Sequence, residues 1–545
     1  MRRFHPVSAV LFAVAISALV GGLFGRRALA VDDHVPEHYK TFTAALSAIE
    51  SGYVDKIDSD RLVYGAVRGM LATLDPHSSF FDPREYAQMR ERQEGRYYGI
   101  GVSIQAVDGD ITAMVVFEGS PAHKAGMRRG DVIAKIGNEA AKGWTTEQAM
   151  LKLRGSKGTP VQIEIRRRGY TQPIPVELVR DEVHLLTVPS HFMVDATTGY
   201  VQLRDFGENT DREVRQALRE LTSKGMRRLL LDIRGNPGGP LDQAIKVSNE
   251  FLPRGRMIVY TRGRISNSDQ DYRGTEDGAF QDVPMVVLVN RNSASASEIL
   301  SGSLQDHDRA YVVGETTFGK ALVQSVYRIA EGAGLALTTA HYYTPSDRLI
   351  QRPWDETFDE YLTYTSRDQD VNKPHKPSDL RKTDAGRPVY SGGGIEPDKY
   401  LAGLPSPNDG IGFNPTPFGR ILYSRQTFEN YAVKYMAVGD KRVSQPATGR
   451  VNVAPNFIVD DAMVADYREY LVKTERIKMD DEAFKKDLDF IKAMIRYRID
   501  EQVFGLAEAY RHLVQVDPQA QLGVSMFGEA QKLLLLNKGT GRSAN

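Results

Sequence analysis

The chain contains no cysteine. Disulfides, thiol nucleophiles and cysteine metal sites are therefore excluded, although the absence does not identify the compartment. No charge of either sign is in excess: Lys and Arg total 70, and Asp and Glu total 70. Nothing in the bulk charge points to nucleic acid or to acidic substrates. No G-x-S-x-G and no H-E-x-x-H motif occurs, which removes two common signatures of hydrolytic sites. No internal repeat is evident. What is there is a chain of 545 residues, 41% hydrophobic and 26% charged. That is an ordinary globular composition, long enough for three or four domains.

A long apolar run occurs at the start. Residues 7–25 follow Arg2 and Arg3 and precede Arg26 and Arg27. The run has the ~17–25 residues needed to span a bilayer. Ala28-Leu29-Ala30 resembles a signal-peptidase site, but arginines directly before it are unusual there. The expectation is an uncleaved anchor, with a cleaved signal second and a buried helix third. Paired arginines on both flanks leave the positive-inside rule undecided. Export of the remainder rests on the signal-like character of the run. It would place the protein at the periplasmic face of the inner membrane, or in the periplasm if the signal is cleaved.

Beyond it, residues 38–53 carry Phe42, Leu46, Ile49 and Tyr53 at helical spacing, and residues 61–74 repeat the pattern. Pro76 ends that second helix, and His77 beside Ser78 and Ser79 reads as a capped turn rather than a catalytic group. Residues 98–168 read as a β-rich module. Asp108-Gly109 is a hairpin signal, Ser120-Pro121 opens a helix, and Thr145 with Gln148 makes a capping box. From Gly199 strands alternate with helices, which implies a largely parallel sheet with sites at the strands' C-terminal ends. A strand at 257–260 is counted among them, and residues 262–280 read as an exposed loop. Beyond Tyr400 a Pro/Gly/Asn-rich linker leads to helices, for which packing or oligomerisation is the expected role.

The chemistry concentrates at 290–324. An apolar strand, 283–289, breaks at Asn290-Arg291-Asn292. Ser293-Ala294-Ser295-Ala296-Ser297 follows, and Glu298-Ile299-Leu300 starts a helix. A serine cluster thus sits at a helix N-terminus, where unpaired N–H groups can stabilise an oxyanion. A second strand at 310–313 ends in a Gly-rich turn bearing Lys320. A serine hydroxyl needs a base, and a lysine serves only where burial lowers its pKa. Lys320 lies among Thr316, Thr317, Phe318, Gly319, Ala321, Leu322 and Val323, with no acid within four residues. An exposed lysine is the bland alternative. Gln324, on the same face, could orient the amine. Rival sites are weaker. Gly314 to Lys320 matches the first seven positions of a P-loop, but Ala321 replaces the metal-binding hydroxyl and a strand follows. His307 with Asp306 or Asp308 reads as an exposed turn rather than part of a triad.

Six motifs and one module occur in a fixed order. They are Leu74-Asp75-Pro76-His77-Ser78, the β-rich module, Asp232-Ile233-Arg234-Gly235-Asn236-Pro237-Gly238-Gly239, Ser293 to Ile299, Gly314 to Lys320, Tyr342-Tyr343-Thr344-Pro345-Ser346 and Gly394-Ile395-Glu396-Pro397-Asp398. The set resembles the carboxy-terminal processing proteases, the S41 serine peptidases, over roughly residues 38–400. The β-rich module resembles a PDZ domain, with Gly99-Ile100-Gly101-Val102 at its carboxylate-binding loop. The resemblance implies an α/β fold: a crotonase-like protease core with an inserted PDZ domain, N-terminal helices and a C-terminal helical extension. The implied divisions are 1–30 for the anchor or signal, 31–95 helical, 96–180 PDZ, 181–400 protease core and 401–545 helical extension. It implies Ser295 as nucleophile, Lys320 as base twenty-five residues on, and Gln324 as the lysine's support. Ala296, with Gly238 or Gly239, would form the oxyanion hole. Substrates would be proteins or peptides with exposed C-termini, with no metal, cofactor or nucleic acid, a membrane contact through the N-terminal segment, and a homo-oligomer possible. The other reading is a non-catalytic PDZ binding protein or chaperone on a protease scaffold. Two residues depart from the family pattern: Pro240 after the glycines, and Asp347 where a glycine is common.

Overall fold

Both periodic stretches near the N-terminus are helices, Val35–Gly52 and Ser59–Ala72. Asp58 caps the second by accepting from the N–H groups of Asp60 and Arg61. Asp75 then takes the N–H groups of His77 and Ser78, each at 2.7 Å, so His77 belongs to a turn as read from the sequence. The computed structural model describes residues 35–168, 170–354, 358–369, 374–405, 410–436, 453–454 and 456–540. The apolar run at 7–25 lies outside them, and among the described residues no helix is long and apolar enough to cross a membrane. The chain divides into two units: residues up to Asp82 together with 326–337, and everything else. In the first, Leu71, Phe80 and Ala333 form a small core, and strand Ser79–Phe81 pairs antiparallel with 334–336. Tyr39, Phe42 and Ile49 of the first helix, and Tyr53 just after its end, stay exposed.

The second unit begins with the PDZ-like module. Its main sheet runs in the order Val102–Val107, Asp110–Val116, Val132–Ile136, Pro160–Arg166, Ile174–Val179. Asp108 and Gly109 both have positive φ, as the hairpin between the first two strands requires. The Thr145–Gln148 capping box forms in both directions, at 2.9 and 3.2 Å. Alternation in Val161, Ile163 and Ile165 points one face of the strand into a core with Ile100, Ile111, Ile133, Leu153 and Leu178. Val102–Val107 is an edge strand, with helix Thr146–Leu153 beside it: Ala106 N–H donates to Thr146 Oγ1 at 2.9 Å.

A six-stranded sheet forms the centre, ordered Ser190–Met193, Thr198–Gln202, Arg228–Asp232, Met285–Val289, Tyr311–Gly314, Lys399–Tyr400. The first pair is antiparallel and the rest are parallel. The middle strands are continuous apolar runs because both faces are covered. Leu229, Leu231, Val287 and Val289 face the helices Thr210–Ser223, Leu241–Asn249 and Ala296–Asp306. Leu230, Val286 and Leu288 face the other way, into a core with Leu422, Phe428, Tyr431, Tyr467 and Phe490 of the C-terminal helices. Burying such side chains contributes roughly 1.5–3 kcal/mol each. The C-terminal helices are therefore the second layer of the central sheet, and their packing role is internal.

Two sequence expectations are corrected. The strand near 257 is Met257–Arg262, and it leaves the parallel sheet to pair antiparallel with Gln270–Arg273 and with 341–343. Residues 262–280 thus include a strand and are not simply a loop; the polar side chains that suggested a loop lie on an edge strand. The turn at His307 is buried, with His307 4% exposed and Asp308 fully covered. His307 bonds Asp384 and the Met257 carbonyl, Asp306 pairs with Arg348, and Asp308 pairs with Arg387. These charges stay buried because each has a partner.

Candidate active site

The strand Met285–Val289 hands over to the helix Ala296–Asp306 through a turn whose polar atoms are almost all spent. Asn290 Oδ1 accepts from the N–H groups of Gly235 and Asn292. Ser293 Oγ accepts from Asn290 N–H at 3.0 Å and donates to the Ile233 carbonyl at 2.9 Å. Ser297 Oγ donates to the Asn236 carbonyl at 3.0 Å. Both of these serines are fully buried. Ser295 differs. It is half-buried; its Oγ faces the Glu298 N–H in a capping box, and among the described residues no hydrogen bond has it donating. Its backbone sits at φ 55, ψ −113, a region that costs a non-glycine residue roughly 1–3 kcal/mol. Such strain at a strand-to-helix turn presents a side chain outward at the helix tip.

The glycine turn lies against that tip. A Cβ on Gly238 would meet the Ala296 nitrogen and Ser295 Cβ, each at 2.8 Å, so only glycine fits beside the serine. The Gly238 N–H is already given to Asn236 Oδ1 at 2.9 Å. Among the described residues, no hydrogen bond takes the Gly239 N–H. Pro240 is the N-cap of helix Leu241–Asn249 with φ −58, a place where a missing N–H costs nothing. Asp347 has φ 61, which explains why a glycine suits the site, and its carboxylate accepts from Tyr260 OH at 2.9 Å.

Lys320 follows a left-handed Gly319 and is half-buried. Its backbone is clamped to that of Ser295 from two sides. Glu298 Oε2 accepts from Ser295 N–H at 2.8 Å and from Lys320 N–H at 2.9 Å. Glu298 Oε1 accepts from Gly319 N–H at 2.7 Å and Thr317 hydroxyl at 2.5 Å. On the carbonyl side, Tyr342 OH reaches the oxygens of Ser295 at 3.1 Å and Lys320 at 2.7 Å. Burial raises the Tyr342 phenol well above its ordinary value, with the Glu298 charge adding to it, so it stays a donor. Gln324, placed near the amine by sequence reasoning, donates through its amide to Thr338 Oγ1 at 3.2 Å. The loop Gly99 to Val102 lies in the PDZ-like module.

Sequence reasoning missed Glu298 and Tyr342. The spacing Ser295-x-x-Glu298 is that of a capping box and could have found the first. Nothing local marks Tyr342, which acts across the fold. Burial pushes Glu298 up from 4.5 to about 7, against the four donors that pull it down. Glu298→Gln keeps one acceptor oxygen and turns an NH2 toward N–H groups. Each buried N–H left unmet costs about 1–3 kcal/mol. A drop of about 10²-fold in kcat is expected, since small displacements of reacting groups cost that much. The folded protein also holds the Glu298 proton more tightly than the unfolded chain. That contribution to stability therefore falls as pH rises from about 4.5 to about 7. Subtracting the Gln variant's melting profile from the wild type's should isolate this slope; parallel profiles would show that Glu298 does not titrate there.

The model of peptidase family S41 matches residues 197–355, that of the PDZ domain 88–166, and that of the CtpB activating protease N-terminal domain 26–84. The carboxy-terminal-processing protease of Bartonella bacilliformis is 38% identical over 56% of this chain and 70% of its own. The processing protease CtpA of Bacillus subtilis is 33% identical over 64% of this chain and 74% of its own. The solved photosystem II D1 C-terminal processing protease is 32% identical, covering 57% of this chain and 89% of that one, with a TM-score of 0.33. With more than two thirds of both curated relatives matched at these identities, the chain belongs to the carboxy-terminal processing proteases, serine-type peptidases of family S41 that carry a PDZ domain.

Proposed function

We propose that this chain is an exported serine endopeptidase that cuts proteins near their C-termini with Ser295 as nucleophile and Lys320 as base. The observation that carries the reading is the fate of the three serine hydroxyls. Those of Ser293 and Ser297 donate to backbone carbonyls, while among the described residues that of Ser295, at a strained helix tip, donates to no acceptor. In this reading Ser295 Oγ attacks the scissile carbonyl and its proton passes to the neutral Lys320 amine. The oxyanion forms against the N–H of Ala296 and that of Gly239, since the Gly238 N–H is tied to Asn236. Lys320 then protonates the leaving amine as the C–N bond breaks. Water attacks the acyl-enzyme as Lys320 takes its proton, and Lys320 returns that proton to Ser295 Oγ as the ester C–O bond breaks and the acid product leaves.

Capture of the substrate tail falls to the PDZ-like module. The edge strand Val102–Val107 offers open backbone groups to an extended peptide, and the loop Gly99 to Val102 would hold the terminal carboxylate. Export and attachment to a membrane through residues 7–25 complete the proposal. Mass spectrometry of a protein substrate with an apolar tail tests it. Internal cuts near the C-terminus, absent with Lys320→Ala, are expected. Uncut substrate with wild-type enzyme, or equal cutting by the variant, would overturn the reading.

A further inference from the structure

The turn that delivers Lys320 has no regular structure from Thr316 to Ala321, so its backbone groups need partners from elsewhere. Its downstream end is tied to the protease core. Thr317 N–H goes to the Ile395 carbonyl at 3.1 Å, and Phe318 N–H to the Ser293 carbonyl at 3.0 Å. Arg352 covers the Phe318 carbonyl through Nε and the Gly319 carbonyl through its own N–H, each at 2.8 Å. Glu298 takes the N–H groups of Gly319 and Lys320.

Thr316 differs, because one side chain holds both of its backbone groups. Gln369 Oε1 accepts from Thr316 N–H at 3.1 Å, and Gln369 Nε2 donates to the Thr316 carbonyl at 2.7 Å. Paired residues of an antiparallel sheet make this same exchange, and here a side-chain amide stands in for the neighbouring strand. Its second amide hydrogen goes to the Tyr364 hydroxyl oxygen at 2.6 Å. Tyr364 in turn shares its own proton between the Thr316 carbonyl at 3.0 Å and the Thr317 carbonyl at 3.2 Å, and the Arg352 guanidinium lies over its ring at 3.6 Å. Gln369 follows helix Phe358–Thr363 and the single turn Tyr364–Ser366. Asp368, beside it, is gripped at 3.1 and 3.2 Å by Arg420 of helix Pro417–Ser424, so the C-terminal helices help to set where the amide stands.

We propose that Gln369 is a positioning residue for the base: by holding both backbone groups of Thr316 it fixes the turn from which Lys320 serves Ser295. This rests on the dyad reading above. The core bonds fix residues 317–320, and the Gln369 exchange fixes the upstream end, where strand Tyr311–Gly314 has already stopped. Misplacing a reacting group by about 1 Å costs on the order of 10²-fold in rate. A turn freed at one end and still held at the other shifts less, and the loss is correspondingly smaller.

The experiment uses the full chain and two readouts: steady-state cleavage of an apolar-tailed peptide, and the rate at which a fluorophosphonate probe labels Ser295. Labelling needs the serine proton to be taken but no peptide to be bound. Gln369→Glu keeps the size and one acceptor but turns a second oxygen toward the Thr316 carbonyl, and Gln369→Ala removes the exchange altogether. Both variants are expected to lose about tenfold in kcat and in labelling rate, with KM and the folded fraction at the assay temperature unchanged. Labelling is repeated on the Lys320→Ala background, where Gln369→Glu should cost no more than about twofold, since no base is left to misplace. Rates within about twofold of wild type in both single variants would overturn the positioning role. An equal loss with and without Lys320 would overturn it too, leaving Gln369 a structural residue only. Lys320→Ala that labels and cuts like wild type would overturn the dyad, and the role of Gln369 with it.

Discussion

Replacing Ser295 with alanine is expected to lower kcat by about 10⁴- to 10⁶-fold, the range seen when a hydrolase loses its nucleophile, and to lower stability by only about 1 kcal/mol, the loss of a helix cap. The side chain can be removed at modest cost because its structural contact is the capping-box approach to the Glu298 N–H, and a lost cap costs about 1 kcal/mol. Alanine also inherits the unfavourable φ of 55, so the backbone strain is common to both proteins and cancels in the comparison. Ser295→Gly separates strain from chemistry. Glycine accepts positive φ at little cost, so this variant should be as inactive as the alanine one yet more stable by about 1 kcal/mol. The neighbouring serines supply the contrast. Ser293→Ala and Ser297→Ala leave buried partners unmet and should each lose about 1–3 kcal/mol of stability, with most activity kept. Denaturant melts and initial rates on one peptide decide all four cases. Wild-type turnover in Ser295→Ala, or its loss only in Ser293→Ala or Ser297→Ala, would move the nucleophile.

Much of this site was legible because its signals are local. A run of small residues after an apolar strand, a glycine turn after another, and a lysine in an acid-free stretch each follow from chain neighbours. The folded chain brings the Ser295 tip and the Gly238 turn side by side, and it ties the Lys320 backbone to Ser295 through Glu298 and Tyr342. What was not legible depends on partners distant in sequence. Polar residues at 305–309 look like a solvated turn until Arg348, Arg387 and Asp384 arrive from other segments to neutralise them. The strand Met257–Arg262 has the apolar pattern of its parallel neighbours, yet its partners are 341–343. Periodicity reports which face is buried and not which strand lies alongside.

The C-terminal helices are the largest such case, and one aspartate in them makes the second strong prediction. Asp517→Ala is expected to cost about 3–5 kcal/mol, because it leaves two buried N–H groups unmet at about 1–3 kcal/mol each and takes one of two carboxylates from a buried cation. Arg234, 2% exposed, immediately precedes the glycine turn beside Ser295. Its guanidinium is held by Asp232 on one side and, on the other, by Asp517 at 3.0 and 3.1 Å and Gln519 at 3.0 Å. Asp517 also caps helix Pro518–Ser525 through Ala520 N–H at 2.8 Å and takes Gly412 N–H at 2.8 Å. Alanine therefore leaves Arg234 with Asp232 as its one carboxylate and opens a helix end, while Asp517→Asn keeps one acceptor oxygen and loses the charge. The loss should grade from asparagine to alanine. Since folded proteins carry only about 5–15 kcal/mol of stability, the alanine form stands near the threshold of unfolding. Activity should fall further than the folded fraction, because Gly235 to Gly239 hang from Arg234. If Asp517→Ala melts within about 1 kcal/mol of wild type and cuts at full rate, the helices are a cover on the sheet and nothing more. If folded enzyme is present but slow, the far layer of the sheet is holding the glycine turn beside Ser295 in position across the core.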